Sequence, residues 1–477
     1  MEVASGRDRL STLPDCLLHV LLSQLRSRQA VQTCALSWRW RHLWRAVPSI
    51  RIDSEDFAIQ DRRDKVYPRM LAPGPGAEEE ALAKLEDFAD SILFYRGLSA
   101  ASSSDSTLDS LHLRVRGGGS RGGANLGRWV RRGLKLSPAA LDICRCDGKP
   151  IKLPPVPSSA ARRLTRLRLD GVLLHRDFEH LLASGELPVL EDLEIRNAAG
   201  SGIERIACDT LRNLTVHLGL GPPVQRHSSH RIAVVVAPLL ASLQLEFPLA
   251  RLANFGFVLV DANEEPCRRL AHVSIVLTPF DPKDTSQLWR PDDYYGSPFR
   301  GGDEELDTPS LIANLYRLLR SLSSVTSLHI SGFQEMHESG WHECDKCCYR
   351  REVRPPGRPV LLRQVLDEHQ DNASMFPSLT SLVLDDCHLG ANLGALWCFL
   401  RTTPAINRLA LDTCDWQEYS KREKKQDEIA TLVPNLNLVR IINGDGEIRS
   451  MVQKKLPLTT ISLSPPEEEE SRLDLSF

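Results

Sequence analysis

Between Leu13 and Trp44 the apolar positions fall at helical spacing. Leu17, Leu18, Leu21, Leu22 and Leu25 stand at i, i+1, i+4, i+5 and i+8, a single stripe that predicts a helix. Pro14 suits its first turn, where a missing N–H costs nothing. Ser27 is the expected N-cap of a second short helix carrying Ala30, Val31 and Cys34. A third helix is expected from Ser37, with Leu36, Trp40, Leu43 and Trp44 on one face and Arg39 and Arg41 off it. Three helices in about forty residues cannot bury that much Leu and Trp among themselves. The unit reads as a docking element.

The pattern then loosens. Residues 53–80 mix charge with Pro73-Gly74-Pro75-Gly76, a linker signature. Glu80 to Gly97 reads as a helix, with Leu82, Leu85, Ala89, Ile92 and Leu93 near helical spacing and Gly97 as its stop. Ser99 to Ser106 is a Ser-rich loop.

A second rhythm, L-x-x-L-x-L, begins at Leu108/Leu111/Leu113. It recurs as Leu164/Leu167/Leu169, Leu190/Leu193/Ile195, Leu211/Leu214/Val216, Leu240/Leu243/Leu245 and Leu270/Val273/Ile275. Val325/Leu328/Ile330, Leu379/Leu382/Leu384 and Ile406/Leu409/Leu411 continue it. Central positions lie 26, 21, 29 and 30 residues apart from Leu167 to Val273, and 27 apart from Leu382 to Leu409. Three wider gaps of 56, 55 and 54 residues each match two periods of a repeat of roughly 20–29 residues. Leu141/Ile143 sits in the first gap as a weaker strand. Short strands of this kind turn alternate side chains inward onto neighbouring repeats and leave the others free of structural duty. The free positions include Arg166, Arg168 and Asp170, then Asp192, Glu194 and Arg196, then Asn213, Thr215 and His217, and later Ser381, Val383 and Asp385. A mixed-sign charged ladder of this kind suits recognition of a protein surface.

Leu13-Pro14, Leu17-Leu18, Ser27-Arg28, Leu36-Ser37, Trp40-Arg41 and Leu43-Trp44 together resemble the F-box. Arg26 stands where that family commonly has Pro, and Trp38 where a basic residue is common. The repeats resemble those of plant F-box/leucine-rich-repeat proteins, as do the Leu-Gly-Arg-Trp-Val-Arg-Arg-Gly run within Asn125 to Ile143 and residues 370–416. The resemblance implies an α/β chain: a short three-helix F-box over 9–50, then a linker plus helix over 51–107. An irregular leucine-rich-repeat solenoid with a parallel concave sheet follows over 108–463, with insertions near 279–309 and 335–360, and an acidic disordered tail over 464–477. It also implies a non-catalytic substrate receptor of a Skp–cullin–F-box ubiquitin ligase, partnered by a Skp-type adaptor, through it a cullin, and a target protein. The alternatives are a non-degradative scaffold that binds the adaptor, or a solenoid interaction module. The adaptor-facing residues would be Leu13, Pro14, Leu17, Leu18, Leu21, Leu25, Val31, Trp40 and Trp44, some of them serving the module's own packing. The target-facing residues would be Arg166, Arg168, Asp170, Asp192, Glu194 and Arg196.

Composition changes this picture little. At 42% hydrophobic and 25% charged the chain is globular, and a net charge of −3 gives no reason to expect nucleic acid or an anionic membrane as partner. MEVASGRDRL has no apolar core, so no secretory signal is expected, and Ile232 to Leu240 is too short to span a bilayer. Twelve scattered cysteines then read as reduced thiols, which points to cytoplasm or nucleus.

Two motifs suggest other chemistry. Gly117 to Gly123 fits both G-x-G-x-x-G and G-x-S-x-G, but the strand before it, Leu111-His112-Leu113-Arg114-Val115, alternates apolar and polar. The first strand of a dinucleotide fold is a continuous apolar run, so a flexible loop and no cofactor are expected. His337, His342, Cys344 and Cys347 have zinc-compatible types and spacing without a distant second pair, and a metal-free loop is expected. The stretch from Thr278 to Pro309 carries Trp289, Tyr294, Tyr295 and Phe299, aromatics that suit a partner-contacting loop.

Overall fold

In the main ladders, inward apolar residues two positions apart mark strands of five to seven residues, each laid parallel to its neighbour. This is seen in a computed structural model that describes residues 13–58, 75–102, 108–146, 150–174, 176–197, 205–217, 231–248, 255–260, 267–278, 308–333, 361–367, 375–391, 393–417, 433–442, 446–455 and 460–464. The chain divides into two units, the first formed mainly by Met1–Ile203 and the second by the greater part of the remainder.

The first unit runs α1 (Asp15–Ser23), α2 (Ser27–Gln32), β1 (Ser49–Asp53), α3 (Pro75–Ser102), β2 (Ser110–Val115), α4 (Gly119–Leu134) and β3 (Ala140–Arg145). It continues as β4 (Ile151–Lys152), α5 (Ser158–Ala161), β5 (Arg166–Asp170), β6 (Val172–Leu173), α6 (Arg176–Ala183) and β7 (Asp192–Arg196). Strands β1, β2, β3, β5 and β7 make one parallel ladder. Its register aligns Ile50, Leu111, Leu141, Leu167 and Leu193 in one buried row, and Ile52, Leu113, Ile143, Leu169 and Ile195 in the next. Each such side chain contributes about 1.5–3 kcal/mol by leaving water, and a one-residue slip would turn every one of them outward.

The second unit runs β8 (Arg205–Ala207), β9 (Asn213–His217), β10 (Arg231–Val236), β11 (Ser242–Pro248), β12 (Phe255–Val260), β13 (His272–Thr278) and α7 (Thr308–Arg320). Then come β14 (Ser327–Ser331), α8 (Leu361–Asp367), β15 (Ser381–Asp385), β16 (His388–Ala391), α9 (Gly394–Arg401), β17 (Arg408–Asp412), β18 (Asp415–Gln417), β19 (Leu438–Ile442), α10 (Gly446–Lys455) and β20 (Thr460–Ser464). Strands β9, β11, β13, β14, β15, β17, β19 and β20 form its parallel ladder, and β12-β10-β8 and β16-β18 form smaller sheets.

Several expectations need revision. Residues 37–46 form no third α-helix. Trp40, Arg41, Arg45 and Val47 donate their amides three residues back, so the segment is a series of turns and 3-10 helix. Three residues per turn bring Trp40 and Leu43 onto one side, and both are buried, while Leu36 stands in solvent. Ser27 is the first residue of α2 rather than its N-cap, and its hydroxyl accepts the amide of Arg51 in β1 at 2.7 Å. The α3 helix passes through Gly97 to Ser102, and β1 joins the ladder across the boundary expected at residue 50 between the docking module and the linker. The gaps of 55 and 54 residues insert no strand between these ladder neighbours, because β13 pairs directly with β14 and β14 with β15. The segments near 279–309 and 335–360, including His337, His342, Cys344, Cys347, Trp289, Tyr294, Tyr295 and Phe299, and the tail over 464–477, lie almost wholly outside the described residues.

The glycine run is the entry to α4 rather than a flexible loop. The buried Arg145 guanidinium donates to the carbonyls of Gly117 at 2.7 Å and Gly119 at 3.0 Å. A phosphate cradle converges amides; here carbonyls converge on a cation. The helix itself is held by α3. Glu86 accepts two bonds from Arg121 at 2.7 and 2.8 Å, and Asp90 accepts from the indole of buried Trp129 at 2.9 Å and from Arg132 at 2.7 Å. Arg121 also holds the Glu86 carboxyl below its usual range.

Five ladder strands end on a residue with positive φ: Gly171, Asn197, Gly332, Asp386 and Thr413. At this corner the amide of Gly171 reaches the carbonyl of Arg196 at 3.1 Å, and that of Gly332 reaches Asp385 at 3.1 Å. A side chain at Gly332 would sit inside the van der Waals envelope of the Leu277 carbonyl, whereas Gly185, also at positive φ, faces open space. Gly185→Ala should therefore cost about 1 kcal/mol of backbone strain. Gly332→Ala should cost at least about 3 kcal/mol, since backbone must also move. Urea unfolding of the two variants checks the ranking, and equal midpoints would refute the close-approach argument.

Candidate functional site

The N-terminal helical module closes a core of its own. Leu18, Leu22, Ala30, Trp40, Leu43 and Val47 form one buried cluster, with Leu13 packed against it. Arg39 ties the 3-10 segment to the start of α1, donating to Asp15 at 2.6 Å and to the carbonyl of Leu13. Asp15 also lies in the first turn of α1, where a carboxylate favours the helix dipole. Behind the module, the buried Arg96 of α3 donates to the carbonyl of Arg45, and Trp44 meets Tyr95 edge-on at 6.1 Å. A small open crevice between these parts is lined by Leu22, Leu25, Val31, Trp44, Ile92 and Arg96, among others.

What the module leaves outside includes several large apolar side chains. Leu17 is 49% exposed, Val20 57% and Leu21 47%, all on α1, and Leu25, just past its end, is 37% exposed. Leu36 and Trp38 are 66% and 79% exposed in the turn beyond α2. Side chains of this size in solvent, beside a core already complete, make a candidate interaction surface. Covering them would contribute on the order of 5 kcal/mol.

Of the nine residues assigned to docking, Pro14, Leu17, Leu21 and Leu25 are exposed, Leu13, Val31 and Trp44 are half-buried, and Leu18 and Trp40 are buried in the module's core. Val20, Leu36 and Trp38 complete the outer face and were not assigned to it. For Val20 the signal was helical spacing: it follows Leu17 at i+3, on the side away from Leu18 and Leu22. Arg26 bonds Asp56 at 2.6 Å and so anchors the corner between α1 and α2 to the segment after β1. Arg41 lies 3.9 Å over the Trp38 ring and occupies one of its faces.

The second surface is the polar face of the first unit's ladder. Register sets Arg51, His112, Asp142, Arg168 and Glu194 in one row and Asp53, Arg114, Cys144, Asp170 and Arg196 in the next. All six predicted target-facing residues lie on it, each beside an opposite charge or an amide donor. Arg166 meets Asp192 at 3.0 Å, Arg168 meets Glu194 at 3.4 Å and Asp142 at 3.8 Å, Arg196 meets Glu194, and Asn197 bonds Asp170 at 2.9 Å. Exposed pairs of this kind are each worth about 0–1 kcal/mol, so a binding partner can exchange them at little cost.

The corresponding rows of the second unit are mostly small and neutral. One aligns Asn213, Ser242, His272, Ser327 and Ser381. Charge there gathers around Asp385, which accepts from Thr413 at 2.7 Å and Ser331 at 3.2 Å, and around the His217–Glu246 pair. Burial lowers the pKa of His329, whose Nδ1 lies 2.9 Å from the Ser274 hydroxyl. Among the described residues no cluster of His, Cys, Asp and Glu could hold a metal ion, and no helix is long and apolar enough to cross a membrane.

No protein-family model matches the chain. It is similar to a meiotic F-box protein of rice, Oryza sativa subsp. japonica: 30% identical over 429 residues, spanning 88% of this chain and 74% of that one. An F-box/FBD/LRR-repeat protein of Arabidopsis thaliana is 28% identical over 247 residues, about half of each chain (51% and 50%). An FBD-associated F-box protein of the same plant is 50% identical over 54 residues, 11% of this chain and 12% of that one. A solved leucine-rich-repeat protein of Leptospira interrogans covers 69% of this chain and 91% of its own at 13% identity, with a TM-score of 0.16, too low to carry an argument.

Leu18→Ala should destabilise the protein by about 2–5 kcal/mol through the cavity it leaves. Leu17→Ala and Leu21→Ala should each change stability by less than about 1 kcal/mol. Thermal unfolding of the three variants reads the difference, and a stable Leu18→Ala protein would refute the core assignment.

Proposed function

The chain belongs to the F-box/FBD/LRR-repeat family of plants, and from that premise we propose that it is the substrate-recognition subunit of a Skp–cullin–F-box ubiquitin ligase. In this reading the outer face of α1, with Leu36 and Trp38, docks a Skp-type adaptor that carries a cullin. The charged ladder face holds the target protein. The chain does no chemistry itself. It raises the effective concentration of a bound target beside the ubiquitin-charged enzyme, as any bivalent bridge does.

The observation that carries the reading is the apolar face left open over a finished core. A structural hairpin would have turned those leucines inward. Under this reading the protein works in the cytoplasm or nucleus, which agrees with the described cysteines being free thiols.

Wild-type protein should capture a recombinant Skp-type adaptor, and Leu17→Ala/Leu21→Ala should weaken capture by roughly 10- to 100-fold with its fold intact. No capture by correctly folded wild-type protein would overturn the proposal. On the ladder, Arg166→Glu/Arg168→Glu/Glu194→Arg should abolish target labelling by proximity biotinylation while adaptor capture stays at the wild-type level. Unchanged labelling would remove the target-binding role from this face.

A further inference from the structure

Neither docking nor recognition uses a pair of thiols on the ladder. Cys144 is the third position of the second polar row, and Cys146 follows the end of β3, with Arg145 between them turned into the core. Their sulfurs lie 3.0 Å apart and both are partly exposed. Residues two apart on an extended strand have Cα atoms about 6.6 Å apart, which lies within the span a disulfide bridges.

The neighbours treat the two sulfurs differently. The Arg114 guanidinium of β2 donates to the Cys146 sulfur at 3.2 Å, with Arg116 close by, while Asp170 of β5 faces Cys144 at 3.5 Å. The hydrogen bond from Cys144, then Arg114 and Arg116, draws Cys146 down to about 6 against the opposing effect of burial. The bond to Cys146, burial and Asp170 push Cys144 up. Asp53 on β1 also lies near Arg114, and Glu55 pairs with Arg116 at 3.5 Å. One sulfur is thus a thiolate at neutral pH and the other a thiol held against it, the division of labour between an attacking and a resolving cysteine.

We propose that Cys144 and Cys146 form a peroxide-reactive dithiol site on the ladder face, one that closes to a disulfide on oxidation and reopens with small thiols. The Cys146 thiolate attacks one oxygen of hydrogen peroxide, the O–O bond breaks, and hydroxide leaves to take a proton from solvent. Cys146 is then a sulfenic acid. The Cys144 sulfur attacks it, the S–S bond forms and the S–O bond breaks. The departing hydroxide takes the Cys144 proton and leaves as water. Two thiols have lost two electrons and the peroxide has gained them. Two glutathione thiols reverse the change and leave as glutathione disulfide. Closure removes the anion opposite Arg114, so the charge pattern of this row depends on the oxidation state of the pair.

Trypsin offers a direct reading, because it cuts after Lys135, Arg145 and Lys152 and so separates the two cysteines. Full-length protein treated with dilute peroxide, blocked, unfolded and digested without reductant should yield peptides 136–145 and 146–152 joined as one species. Dithiothreitol should part them, and Cys146→Ser should never form them. In untreated protein Cys146 should alkylate with a midpoint near pH 6, against about 8.5 for an ordinary thiol, and Arg114→Gln should move that midpoint upward. Peptides that stay separate while exposed Cys16 is oxidised, or an ordinary alkylation profile at Cys146, would each overturn the proposal.

Discussion

In each unit the constraint on which everything else rests is parallel register. A parallel ladder fixes each strand against the next one residue at a time, and period-two alternation then decides both faces at once. The rows that bury leucine after leucine and the rows that align arginine with aspartate are consequences of the same pairing. A shift that spoiled the core would also scramble the charged face. For this reason a recognition surface on a ladder needs little local support: the core holds it in place.

The helical module reaches its surface by a different route. Its short elements could not be stable alone, and they are held by cross-links between segments far apart in sequence: Arg39 to Asp15, Arg26 to Asp56, Ser27 to β1 and Arg96 to the Arg45 carbonyl. These bonds satisfy the module from behind and at its corners. Its outward side carries Leu17, Val20, Leu21, Leu25, Leu36 and Trp38. A surface prepared in this way costs little to cover, because few polar groups must lose water when a partner arrives.

Much of the ladder was legible in the sequence because period-two burial is local. What escaped notice carried the same code in other letters. Val47/Ile50/Ile52, Leu436/Val439/Ile441 and Leu458/Ile461/Leu463 repeat the rhythm with β-branched residues, and they mark β1, β19 and β20. The turn at 37–46 was misread because an i, i+3 pair of apolar residues fits a 3-10 turn as well as an α-helix. The division of the docking residues into core and surface was hidden for another reason. Leu17 and Leu18 are identical in chemistry and adjacent in sequence, and only the packing of α1 on Leu43 and Val47 assigns them opposite faces. The cysteine pair was invisible as well: Cys-x-Cys has no meaning until a strand points both sulfurs the same way.

The direct pairing of β13 with β14 and of β14 with β15 has a consequence for how such a chain can change over time. Because these strands are already bonded neighbours, closing the sheet does not require connections as long as the 55- and 54-residue spacings allow. Lengthening a connection from one repeat to two costs only about 0.6 kcal/mol of closure entropy, less than the loss of a single buried methylene. Selection on stability therefore barely registers their length. Connections of this kind can acquire, lose and exchange whole segments while the ladder beneath stays in register, which makes them the places where members of one lineage can become different proteins.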